Sequence, residues 1–178
     1  MRNRLELAQY LAEMGSKKGA EVGVFEGTFS KTILDTIPGV NLLCIDSWNS
    51  PSGWGLRRNR SSYPAAIKNL SAYPNATILK GNSVDVAKYI VDESLDFVYI
   101  DADHSYEAVK ADINYWAPKV KSGGVLSGHD YFEADYLGVI RAVDEYAKEH
   151  NLKVSATEWD KRNPVRDERQ PNWYFIKA

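Results

Sequence analysis

Two short segments concentrate the side chains that can do chemistry: Asp101-Ala102-Asp103-His104 closes one apolar run, and His129-Asp130 closes the next. Two carboxylates and an imidazole facing one another can hold a divalent cation with open positions, which leaves the other imidazole for proton transfer. His104 taken singly reads equally well as a polar residue ahead of a helix cap. It is the joint placement of four such groups at adjacent run ends that points to a site. Three more run ends share this chemistry, in Glu26-Gly27, Asp46 and Gly81-Asn82-Ser83. Asp46 can take both hydroxyls of a ribose bidentately, or cap a loop. The turn Gly23-Val24-Phe25-Glu26-Gly27 lets backbone amides at the head of the following helix approach a ligand, or is a tight turn with no ligand. It lacks the third glycine of a dinucleotide fingerprint and sets Glu26 where a pyrophosphate would pass, which argues against NAD. His150, beside a helix C-terminus, needs only the helix dipole.

The elements that must position these residues alternate. Leu5, Ala8, Leu11 and Ala12 have helical spacing; Ala20 to Phe25 reads as a buried strand, with a helix restarting near Phe29. The cycle repeats with a strand at 42–45, a helix around 65–70, a strand at 76–79, a helix around 84–91 and a strand at 95–100. Apolar residues at 106, 109, 113 and 116 predict a helix that starts after Ser105 as N-cap and is stopped by Pro118. Gly123-Gly124 leads into Val125-Leu126, a helix follows from about Leu137 to His150, and strand-like runs at 153–159 and 173–177 end the chain. Such alternation predicts a parallel α/β sheet, in which ligands bind at the carboxyl ends of the strands. Ser47 to Tyr63 and Asp160 to Asn172 break the pattern as long loops.

Composition narrows the field. In 178 residues, 44% hydrophobic and 26% charged, the net charge is −2, so disorder, a coiled-coil rod and a basic nucleic-acid or membrane surface are poor readings. One domain spanning 1–178 is expected. The single cysteine, Cys44, lies in the apolar run Leu42-Leu43-Cys44-Ile45 and has no partner for a disulfide or a cysteine zinc site. With no apolar leader or bilayer-length run, a soluble, unprocessed cytoplasmic protein is expected.

The segments Ile100-Asp101-Ala102-Asp103-His104-Ser105-Tyr106 and Gly123-Gly124-Val125-Leu126-Ser127-Gly128-His129-Asp130-Tyr131 resemble those of class I S-adenosylmethionine-dependent methyltransferases. They are similar to the small-molecule O-methyltransferase branch that includes macrolide sugar O-methyltransferases. The resemblance implies a Rossmann-like α/β/α fold, with a seven-stranded, mostly parallel sheet whose last strand is antiparallel. It implies S-adenosylmethionine as cofactor, with Glu21, Gly23, Val24 and Gly27 around its methionine part and Ser30 reaching its carboxylate. Asp46 would serve as the ribose acid, Asn82 and Ser83 would lie beside the adenine with Trp48 as a stacking face, and Asp101 would border the cofactor. It further implies a divalent metal, magnesium or manganese, on Asp101, His129 and Asp130, and His104 as general base. Many relatives carry a carboxylate where His129 stands, and imidazole suits manganese, iron or zinc better than magnesium.

The expected activity is metal-assisted methylation of a hydroxyl on a small molecule, a sugar or natural product, with no nucleic-acid or membrane partner. A symmetric homodimer is the base-rate expectation for such an enzyme. Trp48, Trp54, Arg57, Arg58 and Arg60 in the first loop, with Arg162, Arg166 and Arg169 in the second, could close over a sugar, phosphate or carboxylate, or be solvated. A metal-dependent hydrolase and a non-catalytic binding module of the same fold are the alternative readings.

Overall fold

A computed structural model describes residues 1–49, 53–133, 138–161 and 169–178, with side chains from 53 to 60 left aside. The first half contains α1 (Arg4–Glu13), β1 (Lys18–Val22), α2 (Thr28–Thr36), β2 (Asn41–Asp46), α3 (Gly53–Leu70) and β3 (Ala76–Lys80). The second half contains α4 (Ser83–Ala87), β4 (Leu95–Ile100), α5 (Tyr106–Trp116), β5 (Val120–Gly128), α6 (Val139–Glu149), β6 (Ser155–Ala156) and β7 (Trp173–Ile176). The seven strands form one sheet in the order β3-β2-β1-β4-β5-β7-β6. The first five strands run parallel; β7 is antiparallel to both of its neighbours, which makes β6 parallel to the rest.

Alternation along each strand feeds two separate cores. Ala20, Val22, Ile45, Val98, Ile100 and Leu126 face one side, where they pack on Val109, Ile113 and Trp116 of α5 and Val139, Ala142 and Val143 of α6. Leu42, Cys44, Phe97, Tyr99 and Val125 face the other, covered by Leu7 and Leu11 of α1, Phe29 and Ile33 of α2, and Ala66 and Leu70 of α3. Two helical layers therefore enclose a sheet buried on both faces, the arrangement expected of a parallel α/β sheet.

Several boundaries differ from the sequence reading. The long loop expected over 47–63 is largely helix, because α3 begins at Gly53. Gly53, Gly55, Ser61, Ser62 and Pro64 are poor helix formers, yet Ser62, Ala66 and Leu70 recur every fourth residue and are buried, so packing overrides propensity. Ser105 occupies the N-cap of α5 without a side-chain bond. Instead the Ser105 N–H donates to Asp103 Oδ1 at 2.8 Å. In the β5 region the strand starts at Val120, ahead of the glycine pair, and the pairing with β4 shifts register between Leu95 and Phe97. Leu137, the expected start of α6, lies outside the described residues.

Gly23 shows how tightly the rim is built. Its φ is +95°, and a Cβ there would sit 2.0 Å from the Asp101 carbonyl oxygen. Gly23→Ala should therefore combine backbone strain with overpacking and lower unfolding free energy by about 2–6 kcal/mol. Gly15→Ala, at φ +77° but facing open space, should cost only about 1–2 kcal/mol. Urea denaturation of the two variants side by side checks the contrast.

Candidate active site

The polar run ends meet along the carboxyl edge of the sheet. Just past β4, Asp101 directs Oδ1 toward two imidazoles, with His104 Nε2 at 3.3 Å and His129 Nδ1 at 3.7 Å. Asp130 faces the same pair, its Oδ2 lying 3.3 Å from His104 Nε2 and its Oδ1 3.2 Å from His129 Nδ1. Two carboxylates and two imidazoles thus alternate around one small space. Asp130 stands there with a left-handed backbone, at φ 57°, a conformation costly for a residue other than glycine. Arg4 of α1 adds a cation 3.9 Å from the other oxygen of Asp101, with its guanidinium over the Phe29 ring.

Burial alone would push the Asp101 carboxyl up, but His129, His104 and Arg4 outweigh it and hold Asp101 below the usual range. Burial would likewise pull the His104 imidazole down, but the facing carboxylates Asp101 and Asp130 win and push it up. Ligand atoms from Asp101, His104 and Asp130 lie within 4.8 Å of one another, a group able to hold a metal ion. The separations fit: ligands about 2.1 Å from an ion at right angles stand about 3 Å apart, close to the 3.3 Å between His104 Nε2 and each carboxylate. The sequence reading placed His129 in the ligand set and left His104 free as base. In the structure His104 enters the converging group, while His129 is buried, its Nδ1 toward the carboxylates and its Nε2 without a polar partner among the described residues.

Beside this cluster a cavity of about 470 Å³ runs along the ends of β1, β2 and β4, within the size range of small-molecule sites. Gly23, Asp46, Asn82 and Ser83 line it, together with Asp103, Ala108, Ala111 and Asp112, which the sequence reading did not single out. Asp46 braces the rim while facing the cavity: its two oxygens accept the Phe25 N–H at 2.8 Å and the Trp48 N–H at 2.7 Å. Each oxygen keeps a lone pair for a ligand hydroxyl. Asn82 caps α4, its Oδ1 accepting from Val84 and Asp85.

Other expected cofactor residues lie behind this wall. Trp48 is buried, its Nε1 donating to the Phe25 carbonyl at 2.7 Å and its ring packed on Tyr63. It does not line the cavity, nor do Val24, Gly27, Glu21, Ser30 and Asp101. Val24 is in the core, and Gly27, at φ +77°, precedes α2 with its missing Cβ directed at Leu70. Ser30 donates to Glu21, both fully inside the protein. Burial pushes Glu21 up to about 8, against the pull of the Ser30 hydroxyl. Arg162 and Arg166 lie outside the described residues, as do the side chains of Trp54, Arg57, Arg58 and Arg60.

Residues 20–131 match a family model described as a methyltransferase domain. The chain belongs to that methyltransferase-domain family. No curated protein sequence matches this methyltransferase significantly. Its fold is shared with the O-methyltransferase TomG from Streptomyces achromogenes, solved in complex with SAM (13% identity, 98% of this chain and 80% of that one, TM-score 0.71). An O-methyltransferase from Bacillus cereus solved with SAH is similar at 14% identity, over 98% of this chain and 80% of that one, with a TM-score of 0.68. A protein from Clostridium thermocellum provisionally named an rRNA-methylase is alike over 100% of this chain and 99% of its own, at 14% identity and a TM-score of 0.69. At these identities the likeness carries the class I methyltransferase fold. Among the described residues no helix of the methyltransferase is long and apolar enough to cross a membrane.

Glu21 supplies a test of the buried wall. A carboxyl held near 8 in the folded state and 4.5 by default stays protonated in the native protein while the unfolded chain ionises, so its effect on stability worsens as pH rises between those values. Glu21→Gln keeps an acceptor for Ser30 and removes the titration. Its stability relative to the parent should therefore climb from pH 5 to pH 8 in urea titrations, and a constant difference would show that Glu21 is not held neutral.

Proposed function

We propose that this methyltransferase uses S-adenosylmethionine to methylate a hydroxyl of a small molecule, assisted by a divalent metal. The observation that carries the reading is the adjacency of two features on one sheet edge. The Asp46-bordered cavity can hold a nucleoside, and the Asp101, His104 and Asp130 cluster lies beside it. Both line up with the chemistry needed: a cofactor half at the first strands, and an acceptor-activating half at β4 and β5.

In the cavity, Asp46 would take the ribose hydroxyls on the lone pairs left by Phe25 and Trp48, and the cofactor supplies an electrophilic methyl. The residues for the metal are Asp101, His104 and Asp130, a set whose imidazole favours manganese, iron or zinc over magnesium. A cation so held supplies a lowered pKa to a bound hydroxyl. Around it, His129 holds both carboxylates from the buried side through Nδ1. His104 would lend its Nε2 to that cation, set equally by the two carboxylates, and so would hold the metal beside the acceptor and not take the acceptor's proton. Arg4 shields the outer oxygen of Asp101 and keeps it ionised. The net charge of −2 supplies no pull toward RNA, so a small acceptor is favoured over a nucleic acid.

Titration calorimetry with S-adenosylhomocysteine tests the cofactor half. Micromolar binding is expected, with Asp46→Ala at least about tenfold weaker, as expected for losing hydrogen bonds to a charged group; no binding to the parent protein would sink the assignment. For the acceptor half, hydroxylated small molecules are screened for S-adenosylhomocysteine release after chelation and after readdition of manganese. His104→Ala should lose most of the manganese-dependent turnover on the acceptor found, with S-adenosylhomocysteine affinity little changed.

A further inference from the structure

The two oxygens of Asp101 stand in different settings. Oδ1 is shared by the imidazoles, 3.3 Å from His104 Nε2 and 3.7 Å from His129 Nδ1. Oδ2 is the oxygen that meets Arg4, with Nη1 at 3.9 Å. Asp130 is divided in the same way, Oδ2 lying 3.3 Å from His104 Nε2 and Oδ1 3.2 Å from His129 Nδ1. Each carboxylate thus turns one oxygen to His104, while the other meets a second nitrogen group, His129 for Asp130 and Arg4 for Asp101.

Arg4 is held in place by its own helix. It is the first residue of α1, whose N-cap Asn3 accepts the Glu6 N–H at 3.1 Å and donates its amide to Asp160 Oδ2 at 3.1 Å. Leu7 and Leu11 further along α1 are buried in the core. The Arg4 guanidinium sits 5.0 Å over the Phe29 ring, and Phe29 packs on Tyr99 of β4 with ring centroids 4.4 Å apart. The electron-rich face of the ring attracts the cation and keeps it there, and the side chain is only 14% exposed. At 3.9 Å from Oδ2 the guanidinium is beyond hydrogen-bond distance, so it acts on Asp101 as a charge. The contact comes from α1, ahead of the residues that match the family model.

A divalent cation can take a carboxylate through one oxygen or through both. Taking both oxygens of Asp101 draws the ion toward Oδ2 and so toward Arg4, whereas taking Oδ1 alone leaves it on the imidazole side. Repulsion between two positive charges grows as they approach, and more so where water is partly excluded. We propose that Arg4 holds Asp101 to one-oxygen coordination of the divalent cation and thereby keeps a coordination position open for the acceptor hydroxyl. The assignment rests on the metal reading above and adds to it a positioning residue that acts through Asp101. Arg4 weakens the hold of the site on the ion and in return leaves a place where a water, and then the acceptor oxygen, can stand.

The test titrates manganese into the metal-free parent protein, Arg4→Met and Arg4→Lys. Affinity is read from the electron paramagnetic resonance signal of the free ion, and the exchangeable waters on the bound ion are counted by water-proton relaxation. Arg4→Met keeps an unbranched stem beside Phe29 and removes the charge. It should bind manganese at least about tenfold tighter, the Coulomb gain from removing one unit charge so near a divalent ion, and its bound ion should carry about one exchangeable water fewer. Arg4→Lys, which keeps the charge, should retain the parental affinity and water count. A merely structural Arg4 would shift the urea midpoint of Arg4→Met while affinity and water count stay unmoved, and that result overturns the proposal. Weaker manganese binding by Arg4→Met overturns it too, as does an Arg4→Lys protein that follows Arg4→Met. Absence of manganese binding to the parent protein is a separate result that removes the metal reading itself, and this inference with it.

Discussion

The site depends on the last rung of the parallel ladder. One residue beyond each strand, the backbone makes one more bond: Gly23 N–H to Ile45 O, Asp101 N–H to Val22 O, His129 N–H to Ile100 O and Gly81 N–H to Asp46 O, at 2.7 to 3.0 Å. Each bond contributes only about 1 kcal/mol. Together they decide which residues stand on the rim, because a slip of one residue would turn every side chain to the opposite face. Gly23 enforces the register sterically, since its lack of a Cβ is what lets Asp101 come so near. The glycine is thus set by backbone meeting backbone, and a ligand need not be invoked for it.

On that rim the structure holds conformations that would not persist alone. Phe25, Trp48 and Asp130 all have positive φ without being glycine, at a cost of about 1–3 kcal/mol each. Asp46 secures the first two through their own N–H groups. The turn bearing Asp130 is secured by the Tyr131 N–H donating to the Pro171 carbonyl at 2.9 Å. The charges follow the same logic. Asp101 and Asp130 would repel if left alone, and His104, His129 and Arg4 compensate them from three sides.

Much of this was legible in the sequence because strand ends are marked by abrupt changes from apolar to polar residues. Asp46, Asp101, His104, His129 and Asp130 could be assigned to one edge for that reason, and the two-sided apolar strands gave the three layers. What could not be read was which face a rim residue turns to. Trp48 has the chemistry of a stacking platform but is drawn inward by its indole bond to Phe25 and by Tyr63. The division of labour between His104 and His129 depends on χ angles and on the turn at Asp130. Arg4 reaches Asp101 from a helix with no contact in sequence to the site. Asp112 was the exception that left a trace, as a carboxylate three residues after Val109 and one before Ile113 on the stripe predicted to be buried. The helix at 53–70 was hidden by glycine, serine and proline, whose low propensity is outweighed once Ser62, Ala66 and Leu70 find a seat.

The antiparallel pair at the end of the sheet has a consequence for tolerated chain length. The Asp160 N–H donates to the Arg169 carbonyl at 2.9 Å, and just beyond, Asn172 receives the Thr157 N–H and donates its own to Thr157 Oγ1. Asn172 is also tied to Tyr99 of β4. The segment between Asp160 and Arg169 therefore enters and leaves through a neck that is already closed and anchored to the central strand. Lengthening such a closed segment costs only about 0.6 kcal/mol per doubling. Changes of length between these two anchors therefore leave the sheet, and with it the carboxylates and imidazoles at its edge, in place.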